Sequence, residues 1–263
     1  MMTHILLEID GPIGIVTLNN PEKHNAFDDV LIADLTSSFR SLDANGDVRV
    51  VILSAVGKSF SAGADLNWMK RMSTYSEEEN FLDAMALGEL MRTLHGLSKP
   101  TIARVQGAAY GGGVGLVACC DIAVGTQAAS FSLSEAKLGL IPAVISPYVI
   151  AAIGERAAHR YFLTAERFDA AEAFRLGLLH ELSTMDETMD DKINDIVTTL
   201  LNCGPHAIKE GKNLIATVAN RPISTDIIAD TAQRIARVRA SEEGKEGVRA
   251  FLEKRKASWI VGS

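Results

Sequence analysis

Two stretches of the chain share one design, a short β-branched run followed by a glycine-rich loop. RVVILSA (49–55) leads through KSFSAGADL, and TIARVQ (101–106) leads through GAAYGGGVG into the apolar segment LVACC. Runs this short and this apolar read as strands buried on both faces. Glycine after a strand and before a helix lets backbone amides point at an anion. Two such loops, SAGAD (61–65) and GGG (111–113), on neighbouring strands can converge two amides on one oxygen, the geometry of an oxyanion hole. The same pattern also fits two plain tight connections.

The remaining segments set an alternating order. Residues 5–9 and 13–18 read as strands around the turn Gly11-Pro12, and NNPEKHNAF (19–27) is turn chemistry. A helix capped by Asp28 carries Leu31, Leu35, Phe39 and Leu42 at helical spacing. Ser76 and Glu79 form a capping-box pattern. They open a long helix expected to carry Leu82, Met85, Leu90, Leu94 and Leu97 on its inner side and to stop at Lys99-Pro100. DIAVG (121–125) is the next strand. Gly154, Gly177 and Gly204 are expected to end helices, with Pro147 and Pro205 in first turns. Strand–helix alternation means α/β. Residues 186–263 read as helical, with a boundary near residue 200, so that 1–200 form a core and 201–263 a helical region.

Composition removes several classes. Apolar residues make up 47% and charged residues 22% of 263, an ordinary globular balance. A net charge of −7 lacks the basic field that nucleic acid binding needs. No apolar run reaches membrane-spanning length. MMTHILLEIDGP has neither a signal-peptide nor a transit-peptide pattern, so a cytoplasmic protein is expected. Cys119, Cys120 and Cys203 fit neither a disulfide framework nor a zinc spacing and read as reduced, packed thiols. The six histidines show no metal spacing.

Glu135 stands in the apolar stretch FSLSEAKLGLIP. A carboxylate in such surroundings has its proton affinity raised, which suits acid/base chemistry near neutral pH. The alternative is a helix-start glutamate facing solvent. Gly111, Gly113 and Gly115 with Glu135 also echo a dinucleotide fingerprint, but the final glycine gap is two residues rather than three. Trp68 and Met69 read as packing. Lys70-Arg71 and Lys254-Arg255-Lys256 read as solvated faces that can meet a phosphate.

FSAGADL (60–66) followed by KPTIARVQGAAYGGGVGL (99–116) resembles the crotonase (enoyl-CoA hydratase/isomerase) superfamily. NNPEKHNAF, CCDIAV, SEAKLGLIP, LTAERFDAAEAFRLGLLHEL (163–182) and FLEKRK (251–256) extend the likeness over nearly the whole chain. The resemblance implies a ββα spiral core and a helical C-terminal region that builds trimers or dimers of trimers. It implies an acyl-CoA thioester as substrate partner and no separate cofactor. The amides of Ala64 and Gly112 match the two oxyanion-hole positions, and Glu135 matches an acid/base position. Ala62, Asp65 and Leu66 match the adenine-binding segment, and Lys23 lies where the chain runs near the CoA phosphates. Phe251 and Lys254 match C-terminal positions that touch CoA from the next subunit.

Two-glutamate hydratases of this superfamily carry a first glutamate three positions after the middle glycine of the GGG loop, where this chain has Gly115. One glutamate can serve hydration if water is held otherwise, or can shuttle a proton along the acyl chain as an isomerase. SAGADLNWMKRM, GGGVGLVACCDIAV and LSEAKLGLIPAVISPYVI resemble bacterial methylglutaconyl-CoA hydratases. The second carboxylate of such a substrate, or Asn67, is then expected to hold the water, with Lys70, Arg71 or Lys137 near the acyl end.

Overall fold

The computed structural model describes residues 4–260. β1 (Ile5–Asp10) and β2 (Ile13–Leu18) form an antiparallel hairpin whose turn places Gly11 at φ 53°. Position 11 needs that left-handed conformation, which glycine adopts freely. β2 buries alternate residues, Gly14, Val16 and Leu18. In α1 (Asp29–Ala44) Asp28 caps the start by accepting from the Leu31 amide at 2.8 Å, and Leu31, Leu35, Phe39 and Leu42 are buried. Next come β3 (Val50–Ala55), β4 (Ser59–Ser61), α2 (Leu66–Met72) and α3 (Glu77–His95). β5 (Thr101–Val105), β6 (Ala108–Tyr110) and α4 (Gly112–Cys119) come after these. Then stand β7 (Ile122–Thr126), β8 (Ser130–Ser132) and a 3₁₀ turn over Ser134–Leu138. The chain continues with α5 (Ser146–Thr164), β9 (Arg167–Asp169), α6 (Ala170–Leu176), β10 (Glu181–Ser183) and α7 (Asp186–Asn202). It closes with α8 (Pro205–Val218), α9 (Thr225–Ala240) and α10 (Glu242–Leu252).

These strands make two sheets. One has the order β1-β2-β3-β5-β7-β10 and is parallel from β2 onward. The other has the order β4-β6-β8-β9, with the first three strands parallel. From β3 to β8 each turn of chain places one strand in the first sheet and the next in the second, then returns through helix or 3₁₀ turn. That is the α/β spiral of ββα units that the resemblance implied.

The chain divides into two compact units. One holds the described residues through Leu97 with Thr101–Asn194, and the other holds Ser98–Pro100 with the described residues from Asp195 on. The first contains both sheets and the apolar core that runs through Phe39, Leu53, Phe60, Leu90 and Phe131. In the second, Glu243 caps α8 by accepting from the amides of His206 and Ala207 at 2.9 and 2.8 Å. No residue of α8 or α9 is buried.

Several expectations change. The glycine loops come not directly after 49–55 and 101–106 but after the short strands β4 and β6, which leave no pattern in the sequence. Three-residue strands give too few positions for a period to register. Leu82 and Met85 are 62% and 55% exposed rather than inward, because only the second half of α3 reaches the core, through Leu90, Met91 and Leu94. Gly204 starts α8 rather than ending α7, and Gly154 sits inside α5 at φ 77°, where two helical runs meet. Gly177 does end α6, at φ 89°. Cys119 and Cys120 are buried, whereas Cys203 is exposed.

Candidate active site

Three parallel strands deliver the candidate groups at their C-terminal ends. Ala64 lies three residues past β4, Gly112 two past β6, and Glu135 three past β8. In parallel sheets this edge is where ligands meet loops and helix starts. The two glycine loops touch backbone to backbone. A Cβ on Gly63, which sits at φ 90°, would lie 3.3 Å from the Tyr110 carbonyl oxygen, and one on Gly113 would lie 2.9 Å from that of Ser61. Only residues without a side chain allow this approach.

The first loop is held from behind by the turn 19–27. Asn25 is 1% exposed and donates from Nδ2 to the carbonyls of Val56 and Ser59, each at 2.9 Å, while its Oδ1 accepts from the Asn20 amide. The Ser61 hydroxyl donates to the Asn25 carbonyl at 2.8 Å. Phe27 then forms a parallel bridge to Ala64. Its amide donates to the Gly63 carbonyl and its carbonyl accepts from the Asp65 amide, both at 2.7 Å. This pairing uses the neighbours of Ala64 and leaves the Ala64 amide outside the ladder. Gly112 is the first residue of α4, so its amide has no acceptor within the helix. Among the described residues neither amide donates to another protein group. Gly111, at φ 49° and ψ −118°, turns the chain so that α4 starts here, and its amide donates to the Ser132 carbonyl at 2.9 Å.

Glu135 occupies the 3₁₀ turn after β8. Its Oε1 lies 3.1 Å from where a Cβ on Gly111 would stand, against the second loop. Its Oε2 is buried and has no hydrogen-bond partner among the described residues. The side chain therefore does not face solvent. Burial pushes the carboxyl above its usual range, and its own backbone amide offsets this only in part. A buried carboxylate oxygen left unpaired is costly, and groups of this kind concentrate at functional sites.

The other candidates sit nearby or in the second unit. Ala62, Ala64 and Leu66 are exposed, alternating with buried Ser61, Gly63 and Asp65. Asp65 caps α2, with Oδ1 accepting from the amides of Asn67 and Trp68 at 2.8 and 3.1 Å. Its Oδ2 pairs with Lys23 Nζ at 2.9 Å. The bond to Lys23 holds the Asp65 carboxyl below its usual range and the Lys23 ammonium above its own. Trp68 is buried and donates from Nε1 to Asp83 at 3.0 Å, which is packing as expected. Arg71 is paired with Asp29 at 2.5 Å. In the second unit, Phe251 is 82% exposed on α10, and Lys254 just beyond it has φ 55°. Asn25 and Phe27, which position the first loop, do not stand out in the sequence, where their only signal is the Asn-rich turn itself; Ser61 shows there only as the first residue of SAGAD. Among the described residues no helix is long and apolar enough to cross a membrane.

Residues 8–261 match the family model described as enoyl-CoA hydratase/isomerase. The chain is 30% identical to a crotonyl-CoA hydratase of Syntrophomonas wolfei, with 98% of each covered. It is 31% identical to a short-chain-enoyl-CoA hydratase of Clostridium acetobutylicum, with 97% of each covered. A solved enoyl-CoA hydratase from Shewanella pealeana superposes with a TM-score of 0.95 at 44% identity, over 98% of this chain and 96% of that one. The sheet pairings and strand-end loops define a crotonase-fold protein, and the chain belongs to the enoyl-CoA hydratase/isomerase family.

Proposed function

We propose that this protein hydrates a short branched 2-enoyl-CoA, with 3-methylglutaconyl-CoA as the leading substrate. The observation that carries the reading is the buried, unpartnered Glu135 oxygen against the second of two touching loops whose amides, Ala64 and Gly112, make no internal bond. A thioester carbonyl oxygen placed between these amides accepts from both. As the enolate forms, the fixed donors stabilise its charge without reorganising, each contributing about 3–4 kcal/mol. Glu135 takes the proton from water as oxygen adds to the β-carbon, and returns a proton to the α-carbon. Its raised proton affinity suits both halves.

The exposed backbone at Ala62 and Leu66 takes the adenine end of CoA in this reading, with Asp65 shaping the segment through its cap. Lys23 faces the phosphates, and its bond to Asp65 fixes the ammonium there. Phe251 and Lys254 serve a neighbouring copy in a trimer or dimer of trimers. The exposed apolar residues of the C-terminal helices, Ile215, Ile228, Ile235 and Val248, support such assembly. Of the candidates for the acyl end, Arg71 is engaged with Asp29, which leaves Lys70 and Lys137.

A second reading, a single-glutamate enoyl-CoA isomerase, draws on the one carboxylate here. Following enoyl-thioester absorbance with 3-methylglutaconyl-CoA and crotonyl-CoA separates the two. Fast loss with the branched substrate is the expected result. No loss with either, together with double-bond migration in a 3-enoyl-CoA, would move the assignment to isomerase.

A further inference from the structure

Gly115 looks like one more glycine of a loop, yet it lies inside α4 and is buried. A Cβ built on it would fall 2.3 Å from Ile145 Cγ2, 2.9 Å from Ile145 Cβ and 3.2 Å from Met91 Cε. The first two distances are shorter than any side-chain contact tolerates. Ile145 is 2% exposed and Met91 0% exposed, so neither can swing into solvent to make room. Position 115 is three residues past Gly112 on the same face of α4, and its amide donates to the carbonyl of Gly111, the residue just before the helix, at 3.3 Å. Gly111 is the residue against which Glu135 Oε1 rests. A side chain at 115 would therefore rise toward the reacting groups, and Ile145 holds that volume.

The filler and the carboxylate come from one stretch of chain. Glu135 begins a segment that turns back on itself, with the Leu140 amide donating to the Glu135 carbonyl at 3.0 Å. The same segment ends at Ile145, which enters α5. β-branched and locked where α5 begins, Ile145 has little rotamer freedom to yield.

We propose that Ile145, backed by Met91, fixes this active site to a single carboxylate by occupying the space of any side chain at position 115. Gly115 is then not an opening for a bulky acyl group but the partner that Ile145 requires. The chemical half of this inference rests on the enoyl-CoA reading, while the steric half does not.

A double-mutant cycle tests the steric half. Gly115→Ala alone should lower Tm by about 2–12 °C, as overpacking does. Ile145→Ala alone should lower it by opening a cavity, and in the double variant the losses should not add, with Tm at or above that of Gly115→Ala. Losses that add within about 1 °C would show that Ile145 does not fill position 115. For the chemical half, Gly115→Glu is compared with Gly115→Glu/Ile145→Ala. The double variant should gain about tenfold or more in enoyl-CoA hydration over Gly115→Glu and show a second ionisation in its kcat–pH profile. A Gly115→Glu single variant that keeps the parental Tm and already shows that second ionisation would overturn the proposal. If no protein of the set, parent included, turns over an enoyl-CoA, the functional reading fails and the chemical half with it, while the Tm cycle still decides the steric half.

Discussion

The first unit contains two sheets that the chain visits in turn, and they differ in what their strands do. In the six-stranded sheet, β2 and β3 pair over six residues, and Val16, Leu18, Val51 and Leu53 are at most 1% exposed. In the four-stranded sheet each strand has three residues, and the first three are rich in serine and alanine: Ser59–Ser61, Ala108–Tyr110 and Ser130–Ser132. Each buries one central side chain in the core, Phe60, Ala109 and Phe131, but at three residues apiece these strands bury less apolar area than the long ones. They serve to aim the loops that leave their ends, and Ala64, Gly112 and Glu135 come within three residues of those ends. Long strands set the position of the spiral, and short ones set the direction of the backbone leaving it.

That division predicts opposite outcomes for substitutions in the two sheets. Glu135→Gln, just past the short strand β8, should lower turnover by about 100–10,000-fold with little change in KM. It should not cost stability at neutral pH. Burial raises the Glu135 carboxyl in the folded state, so the native protein binds more protons than the unfolded chain between the ordinary carboxylate range and that raised value. Stability therefore falls as pH rises through this window, and a neutral glutamine removes the loss. Urea midpoints at about pH 4 and pH 8 check this: parent and variant should converge at the lower pH, below the ordinary glutamate range, and the variant should equal or exceed the parent at the higher. A variant that loses stability and keeps its rate would break the comparison. Leu53→Ala in β3 is the converse. A side chain 1% exposed in the main core should cost about 2–5 kcal/mol. The kcat of the folded fraction should stay within a few-fold, and a large drop in kcat at full folding would mean that the long sheet tunes the site as well.

The same division explains what can be read from the sequence. The β-branched run 49–55 and the helix spacing of Leu31, Leu35, Phe39 and Leu42 declare themselves, because burial on a regular element leaves a period. So do the glycine loops, whose composition reflects the close backbone approach of Gly63 and Gly113. The short strands leave no period. Asn25 is one polar residue among several in a turn, and nothing local reveals that it binds both Val56 and Ser59, each far along the chain. Gly115 misleads for a related reason, since the residue that requires it, Ile145, belongs to a distant segment of sequence. Glu135 can be suspected from its apolar neighbours, but only packing against Gly111 decides that it points inward.

Asp65 lies between the two cases, because one carboxylate both caps α2 and anchors Lys23. Its cap bonds to Asn67 and Trp68 are local and legible, and its bond to Lys23 is not. Asp65→Ala should cost about 0.5–2 kcal/mol, the usual value of a helix cap. Asp65→Asn keeps an acceptor for the cap and should cost less, isolating the contribution of charge. The Asp65 carboxyl is held below its usual range, so the unfolded chain takes up protons first as pH falls. The advantage of parent over Asp65→Asn should be complete above the ordinary carboxylate range and shrink as pH drops toward the lowered value. If CoA phosphates meet Lys23, the two variants should also raise KM for the CoA ester by similar factors while leaving kcat near the parent value, since both release the lysine and neither touches Glu135. A KM unchanged in both would place the phosphates elsewhere and reduce the Lys23–Asp65 pair to a brace for the first loop.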